Sequence, residues 1–240
     1  PASLRDGHEL LMTSLRNARP KSLTVCCISS LRDLADIISA DSTLVETKVA
    51  ELAIQGGIEH DEQTGAWTPD TSVNNTFDMA AASDVYAWSL RTGVPMAVVS
   101  RNAVPLLSMQ LAKSFALRTQ DPVMSYLANA QFLGLEGLWQ KLCNGKLPER
   151  CTKRWYFTTF CGVDDELFDA FRFDALDADA NIVQYLNGFV KPYDVVALMS
   201  VLPSTRTLFP QPLSHSSISN QHRLFLGAEH CIDTAHVIKL

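Results

Sequence analysis

The sequence predicts an α/β fold: a mostly parallel sheet with flanking helices. Three observations carry this expectation. Short β-branched apolar runs at 23–28 (LTVCCI), 49–55 (VAELAIQ) and 94–100 (VPMAVVS) alternate with stretches whose apolar residues recur at helical spacing. Parallel neighbours need crossover connections, and a helix between two strands supplies one. At 240 residues and 47% hydrophobic content, the chain holds enough apolar side chain for one sizeable core. One domain over residues 1–240 is therefore expected.

Residues 3–18 (SLRDGHELLMTSLRNA) form an amphipathic helix pattern and lack the basic, apolar and small-residue regions of a signal peptide. Residue 1 is Pro, so the chain is expected to begin inside a longer gene product. LTVCCI is a strand, and behind it Leu31, Leu34, Ile37 and Ile38 share one helical face over 29–41, with Ser29 and Ser30 as N-caps. The run VAELAIQGG ends at Gly56 and Gly57, where the missing Cβ atoms permit a tight turn or a close backbone approach. A loop containing Asn74 and Asn75 follows, then a helix over 77–91, the strand at 94–100 and a long helical region through Asn144. Beyond Gly145 the pattern loosens: CTKRWYFTTFCG (151–162) is aromatic and irregular, DELFDAFRF (165–173) is helical, YDVVALMSVL (193–202) is a helix and QHRLFLG (221–227) is a strand.

A net charge of −6 gives no basic footprint for nucleic acid or an anionic membrane, and neither is expected as a partner. No apolar run approaches the about 18 residues of a membrane span, so a soluble, cytoplasmic protein is expected. The cysteines (Cys26, Cys27, Cys143, Cys151, Cys161 and Cys231) are sparse, and free thiols of a reducing compartment fit better than disulfides. None of them makes a C-x-x-C pair, which leaves zinc unsupported.

In open parallel sheets, ligands bind beyond the carboxyl ends of the strands. The segments expected there are Ser29–Asp33, Gly56–Glu59, Ser72–Asp78 and Ser100–Asn102. Their side chains are polar and mostly neutral, and neither a G-x-G-x-x-G nor a phosphate-binding G-x-x-x-x-G-K-[ST] loop is present. A hydroxyl-rich ligand suits such an edge. Asn74 and Asn75 have two readings: one of them, or Thr76, caps the following helix, and the other amide donates to a ligand hydroxyl. Asp194 likewise either completes a helix N-terminus or serves a site.

Three other patterns lead nowhere. DALDADAN (174–181) has alternating acidic residues, but Ile182 and Gly188 stand where a calcium loop needs Gly and Glu, so it is a solvated turn. His8, His60, His215, His222, His230 and His236 have no metal-ligand spacing. No G-x-S-x-G elbow for a serine nucleophile occurs.

Three ordered segments resemble the inosine–uridine-preferring nucleoside hydrolase family. LTVCCISSLRDLADIISADSTLVETKVAELAIQGG is similar to its strand, G-P-L-T-N, helix and paired-glycine segment, with Ser29 to Asp33 at the G-P-L-T-N positions and Gly56 and Gly57 on the glycines. GAWTPDTSVNNTFDMAAA resembles its G-N-x-T-P-x-A-E-F-N-x-x-x-D-P-E-A-A signature; Gly65, Thr68, Pro69, Asn74, Asp78, Ala81 and Ala82 coincide. YDVVALMSVL resembles its H-D-P-L-A-x-A helix start. AQFLGLEGLWQKLCNGKLP and CTKRWYFTTFCG are similar to a divergent branch that includes plant-pathogen effectors.

The resemblance implies a Rossmann-like fold that here lacks its first strands, and a calcium site. Asp194 carries over as a metal ligand, Arg32 as a ligand through its backbone carbonyl, Asn74 as a ribose-hydroxyl contact, Ser72 at a substrate-binding glutamate's position, and Tyr193 at the catalytic histidine's position. The departures are chemical. Tyrosine, with an ordinary pKa of about 10, is a different acid from histidine. The family's D-x-D-x-x-x-D-D calcium segment is not found, Ser72 is no carboxylate, and Ala66 replaces an asparagine. The implied function is hydrolysis of the N-glycosidic bond of ribonucleosides through a calcium-bound water, if a parent chain supplies the aspartates. The alternative is an inactive member that binds a ribosylated ligand or a protein partner. Association of copies is left open.

Overall fold

A computed structural model of the chain describes residues 6–111, 113–114 and 121–235. Two compact units result: the flanking segments Pro1–Pro105 with Pro192–Leu240, and the intervening Leu106–Lys191. In chain order the first carries α1 (Gly7–Asn17), β1 (Leu23–Cys27), α2 (Arg32–Lys48), β2 (Val49–Gln55), β3 (Ile58–His60), β4 (Trp67–Pro69), α3 (Val73–Phe77), α4 (Met79–Thr92) and β5 (Met96–Val99). The second holds β6 (Leu107–Ser108), α5 (Pro122–Cys143), α6 (Lys153–Tyr156), α7 (Asp165–Ala170) and β7 (Phe189–Val190). The chain returns to the first with α8 (Tyr193–Met199) and β8 (Arg223–Phe225).

The first unit is built on a parallel sheet in the order β1-β2-β5-β8. Successive strand residues face opposite sides, and both sides of its centre are covered. Leu52, Ile54, Met96, Val98 and Leu224 pack with Leu34, Ile37, Val85 and Trp88 of α2 and α4, and with Met12 and Leu15 of α1. Their neighbours Val99 and Phe225 meet Val196 and Ala197 of α8, while Ala53 and Ala97 meet Val201. Burial on two sides explains why β5 reads Met-Ala-Val-Val without a polar residue.

The mostly parallel sheet with flanking helices matches the sequence expectation, and boundaries differ for local reasons. Ser29 and Ser30 do not cap α2: its N-cap is Leu31, and Ser30 Oγ accepts only the Arg32 amide at 3.2 Å. The helix also runs past residue 41 to Lys48. It kinks at Asp41 (φ −157°, ψ 78°), whose carboxylate accepts the Leu44 amide and restarts the helix. Residues 58–69 hold a short antiparallel hairpin, β3 with β4, that the sequence pattern does not announce. Gly93, in the left-handed region at φ 74°, ends α4.

The second unit has a core of aromatic rings. Phe157 stacks on Phe173 at 4.2 Å between centroids, Trp139 of α5 packs against Tyr156 and Phe157, and the Tyr156 hydroxyl donates to the Leu135 carbonyl. The irregular-looking CTKRWYFTTFCG is thus helical, α6 continuing into a π-turn over Phe157–Cys161, because its rings must all turn toward one centre. The 174–181 segment is a turn closed by Asp177 on the Asp179 amide. Asp121 caps α5 ahead of Pro122. Part of the expected long helix, residues 112 and 115–120, lies outside the described residues, as does His236. No helix among the described residues is long and apolar enough to cross a membrane. No disulfide links the cysteines.

Candidate functional site

The strands of the first unit run parallel, so their carboxyl ends share one edge: Cys27, Gln55, Val99 and Phe225. The residues just beyond these strand ends form the candidate site. After β2, the two glycines make room for side chains of the α3 region. A Cβ at Gly57 would overlap the Asp70 carboxylate; one at Gly56 would sit 3.0 Å from the Tyr86 hydroxyl and 3.1 Å from Asn75 Oδ1.

The two asparagines divide their work across this turn. Asn75 is fully buried, and its Nδ2 donates to the Gly57 carbonyl at 2.8 Å, to Asp70 Oδ1 at 3.0 Å and to the Asp70 carbonyl at 3.2 Å. It is an internal clamp and not a cap. Asn74 is half-buried; its Nδ2 donates to the Gln55 side chain and, at 3.0 Å, to the Gln55 carbonyl. Its amide nitrogen is therefore engaged, and its Oδ1 is the end available to accept from a ligand hydroxyl. This reverses the polarity expected from the sequence. Nor does Thr76 cap α4: Asp78 does, accepting the Ala81 amide at 3.0 Å. Ser72 is buried, and its Oγ has no hydrogen-bond partner among the described residues, while the Tyr86 hydroxyl is turned to the Asn75 side chain. Burial, helped by nearby Asp70, pushes the Tyr86 hydroxyl well above its ordinary pKa, so it is a neutral group.

On the neighbouring strands the polar groups differ in kind. Tyr193 and Asp194 open α8, which packs on β2 and β5. Both are reachable by solvent. Partial desolvation raises the pKa of each, and Arg101, just past β5, works against the rise at Tyr193. Asp194 lies close enough to β1 that its charge adds to the rise which burial imposes on the Cys26 thiol. Burial pushes Cys27 up to about 12, so this thiol is a packing group and not a nucleophile. Arg32, at the first turn of α2, turns its guanidinium to Asp78 at 2.6 Å and Asp36 at 3.3 Å and so ties α2 to the start of α4.

Along this edge Asn74 holds Gln55, Arg101 acts on Tyr193 and Asp194 acts on Cys26, while Arg32 faces Asp78. Gln55 was missed from the sequence, although its place immediately before the paired glycines marks the strand's carboxyl end. Calcium takes about six to eight oxygens, several of them carboxylate. Among the described residues no three His, Cys, Asp or Glu side chains gather to hold a metal, and Asp194 alone does not make a calcium site. A neutral polar edge with one carboxylate and one cation can instead hold a ligand rich in hydroxyls.

No family model matches the chain, and no curated protein matches it. Solved structures do. The type III effector protein XopQ, in a structure complexed with adenosine diphosphate ribose, is 24% identical at a TM-score of 0.74, over 97% of this chain and 60% of that one. The effector protein XOO4466 is 24% identical at a TM-score of 0.73, over 97% and 61%. A purine-preferring ribonucleoside hydrolase from Gardnerella vaginalis is 12% identical at 0.54, over 99% and 64%. The chain spans about 60% of the length of the two effector structures. At these identities the likeness establishes the fold, which is the nucleoside-hydrolase-like α/β fold that the three sequence segments led us to expect.

Proposed function

We propose, from the nucleoside-hydrolase-like fold that this chain shares, that it binds a ribosylated small molecule at the carboxyl edge of its sheet. The observation that carries the reading is Asn74: Gln55 holds its amide nitrogen and leaves Oδ1 to accept from a sugar hydroxyl. Tyr193 adds a neutral hydroxyl and Arg101 a positive charge beside it, which suits a ribose that carries phosphate. The complex of XopQ with adenosine diphosphate ribose belongs to that protein and supports the ligand class for this one.

A ligand series tests the reading. Calorimetry with adenosine diphosphate ribose, adenosine and adenine is expected to give affinity that falls in that order, with ribose removal costing about tenfold because Asn74 Oδ1 and the Tyr193 hydroxyl lose their sugar partners. Equal affinity for adenosine and adenine would remove ribose from the account.

A second reading, hydrolysis of the N-glycosidic bond, is favoured by Asp194, a partly desolvated carboxylate at this edge. The described residues do not gather the carboxylates that a calcium ion would need for such hydrolysis. Its test is calcium-dependent ribose release from inosine or uridine by the protein, lost in Asp194→Ala.

A further inference from the structure

We propose that His230 is a phosphate-contacting residue of the carboxyl edge, its Nε2–H donating to a phosphoryl oxygen of the bound ligand beside Arg101. The inference rests on the reading of this edge as a site for a ribosylated molecule, and adds which part of the ligand the end of β8 holds.

The ring stands just past β8, and the backbone there fixes its orientation. The amides of Leu226 and Gly227 donate to His230 Nδ1 at 3.2 and 3.1 Å. A ring nitrogen that accepts two hydrogen bonds carries no proton, so the imidazole is the Nε2–H tautomer, an acceptor toward the strand end and a donor away from it. The Glu229 carboxylate stands on the Nδ1 side, 3.4 Å away. Two successive backbone N–H groups that converge in this way form a nest suited to an anion or an oxygen. Here the imidazole fills the nest and passes the donor role to its far nitrogen. The residue is only 7% exposed, and among the described residues nothing accepts from Nε2. A donor fixed this firmly wants an acceptor that arrives from outside.

Its neighbours indicate the kind of acceptor. The ends of β8 and β5 are stitched together: the Ser100 amide donates to the Phe225 carbonyl at 2.9 Å and Ser100 Oγ to the Leu226 carbonyl at 2.7 Å. The turn Arg101–Ala103 packs on the turn Ala228–His230. His230 and Arg101 therefore rise from one joint, and the charge of Arg101 reaches Tyr193. A fixed N–H beside a guanidinium matches a phosphoryl group, which takes charge-assisted hydrogen bonds; a sugar hydroxyl or a base brings no charge for Arg101 to meet. The ligand class is a phosphate-bearing riboside in preference to a bare nucleoside.

His230→Asn keeps an oxygen near the Nδ1 position for the two amides and removes the Nε2 donor. Calorimetry should show affinity for adenosine diphosphate ribose about tenfold lower in this variant and affinity for adenosine unchanged, with native circular dichroism. Long-range proton–nitrogen spectra of the wild-type chain give a readout that needs no variant. The Nε2–H tautomer is expected in the free protein, and inorganic pyrophosphate should move the His230 Nε2 resonance where adenosine does not. A proton on Nδ1, a resonance that pyrophosphate leaves in place, or affinity for adenosine diphosphate ribose indifferent to His230→Asn overturns the inference, the last leaving the ribosylated-ligand reading intact. A response to pyrophosphate in a chain that does not distinguish adenosine from adenine keeps His230 and removes ribose instead.

Discussion

Gly57 lacks a side chain because the Asp70 carboxylate occupies the space where one would be. Gly57→Ala is therefore expected to destabilise the fold by about 1–3 kcal/mol, as overpacking of a tight site does, measured by urea unfolding. The adjacent asparagines should behave differently from each other. Asn75→Ala strips the Gly57 and Asp70 groups of their buried donor and should cost about 1–3 kcal/mol. Asn74→Ala, at a half-buried position, removes the donor to the Gln55 carbonyl and side chain and should cost less stability than Asn75→Ala while lowering ligand affinity. His222 carries a pH dependence. It is buried, and desolvation holds its pKa below the ordinary 6.5. The unfolded chain takes up a proton there that the folded one refuses, so stability should fall as pH drops below about 6.5 and level off beneath the folded pKa. Melting curves between pH 7.5 and 4.5 should show that slope diminished in His222→Leu; an unchanged slope would assign it to other groups.

Elements differ in how plainly the sequence announced them. β2 and β5 were legible because burial on two sides leaves a continuous apolar run, and α2 because one face repeats Leu34, Ile37 and Ile38. The asparagine segment was not. α3 spans only Val73–Phe77, too short for periodicity, and its hold on β2 comes from contacts about 20 residues apart in sequence. The same limit hid the π-turn after α6, whose rings gather from α5, α7 and the turn beyond it. That gathering is testable. Phe157 is fully buried between Phe168, Phe173, Trp139 and Tyr185. Phe157→Ala should cost about 3–5 kcal/mol in the unfolding of the Leu106–Lys191 unit. Near-ultraviolet circular dichroism should lose the part of its aromatic signal that this cluster supplies, while buried Trp88 and Tyr86 of the other unit keep theirs; an unchanged spectrum would mean the cluster is not the unit's core.

For the whole molecule, a parallel sheet sets strand ends from distant parts of the sequence on one edge, and this is how Gln55 comes to lie on the same edge as Arg101, which acts on Tyr193, despite their separation along the chain. Ordered motifs single out Asn74 and Asp194; the direction of the Asn74 hydrogen bond is not legible in them, because it depends on Gln55. We propose that this edge binds a ribosylated molecule through Asn74 and Tyr193. Calorimetric titration of adenosine diphosphate ribose into the wild-type chain, Asn74→Ala and Tyr193→Phe tests it most directly. Saturable binding by the wild type and about tenfold weaker binding by each variant, with native circular dichroism, are expected; no binding, or equal affinity in all three, would overturn the proposal.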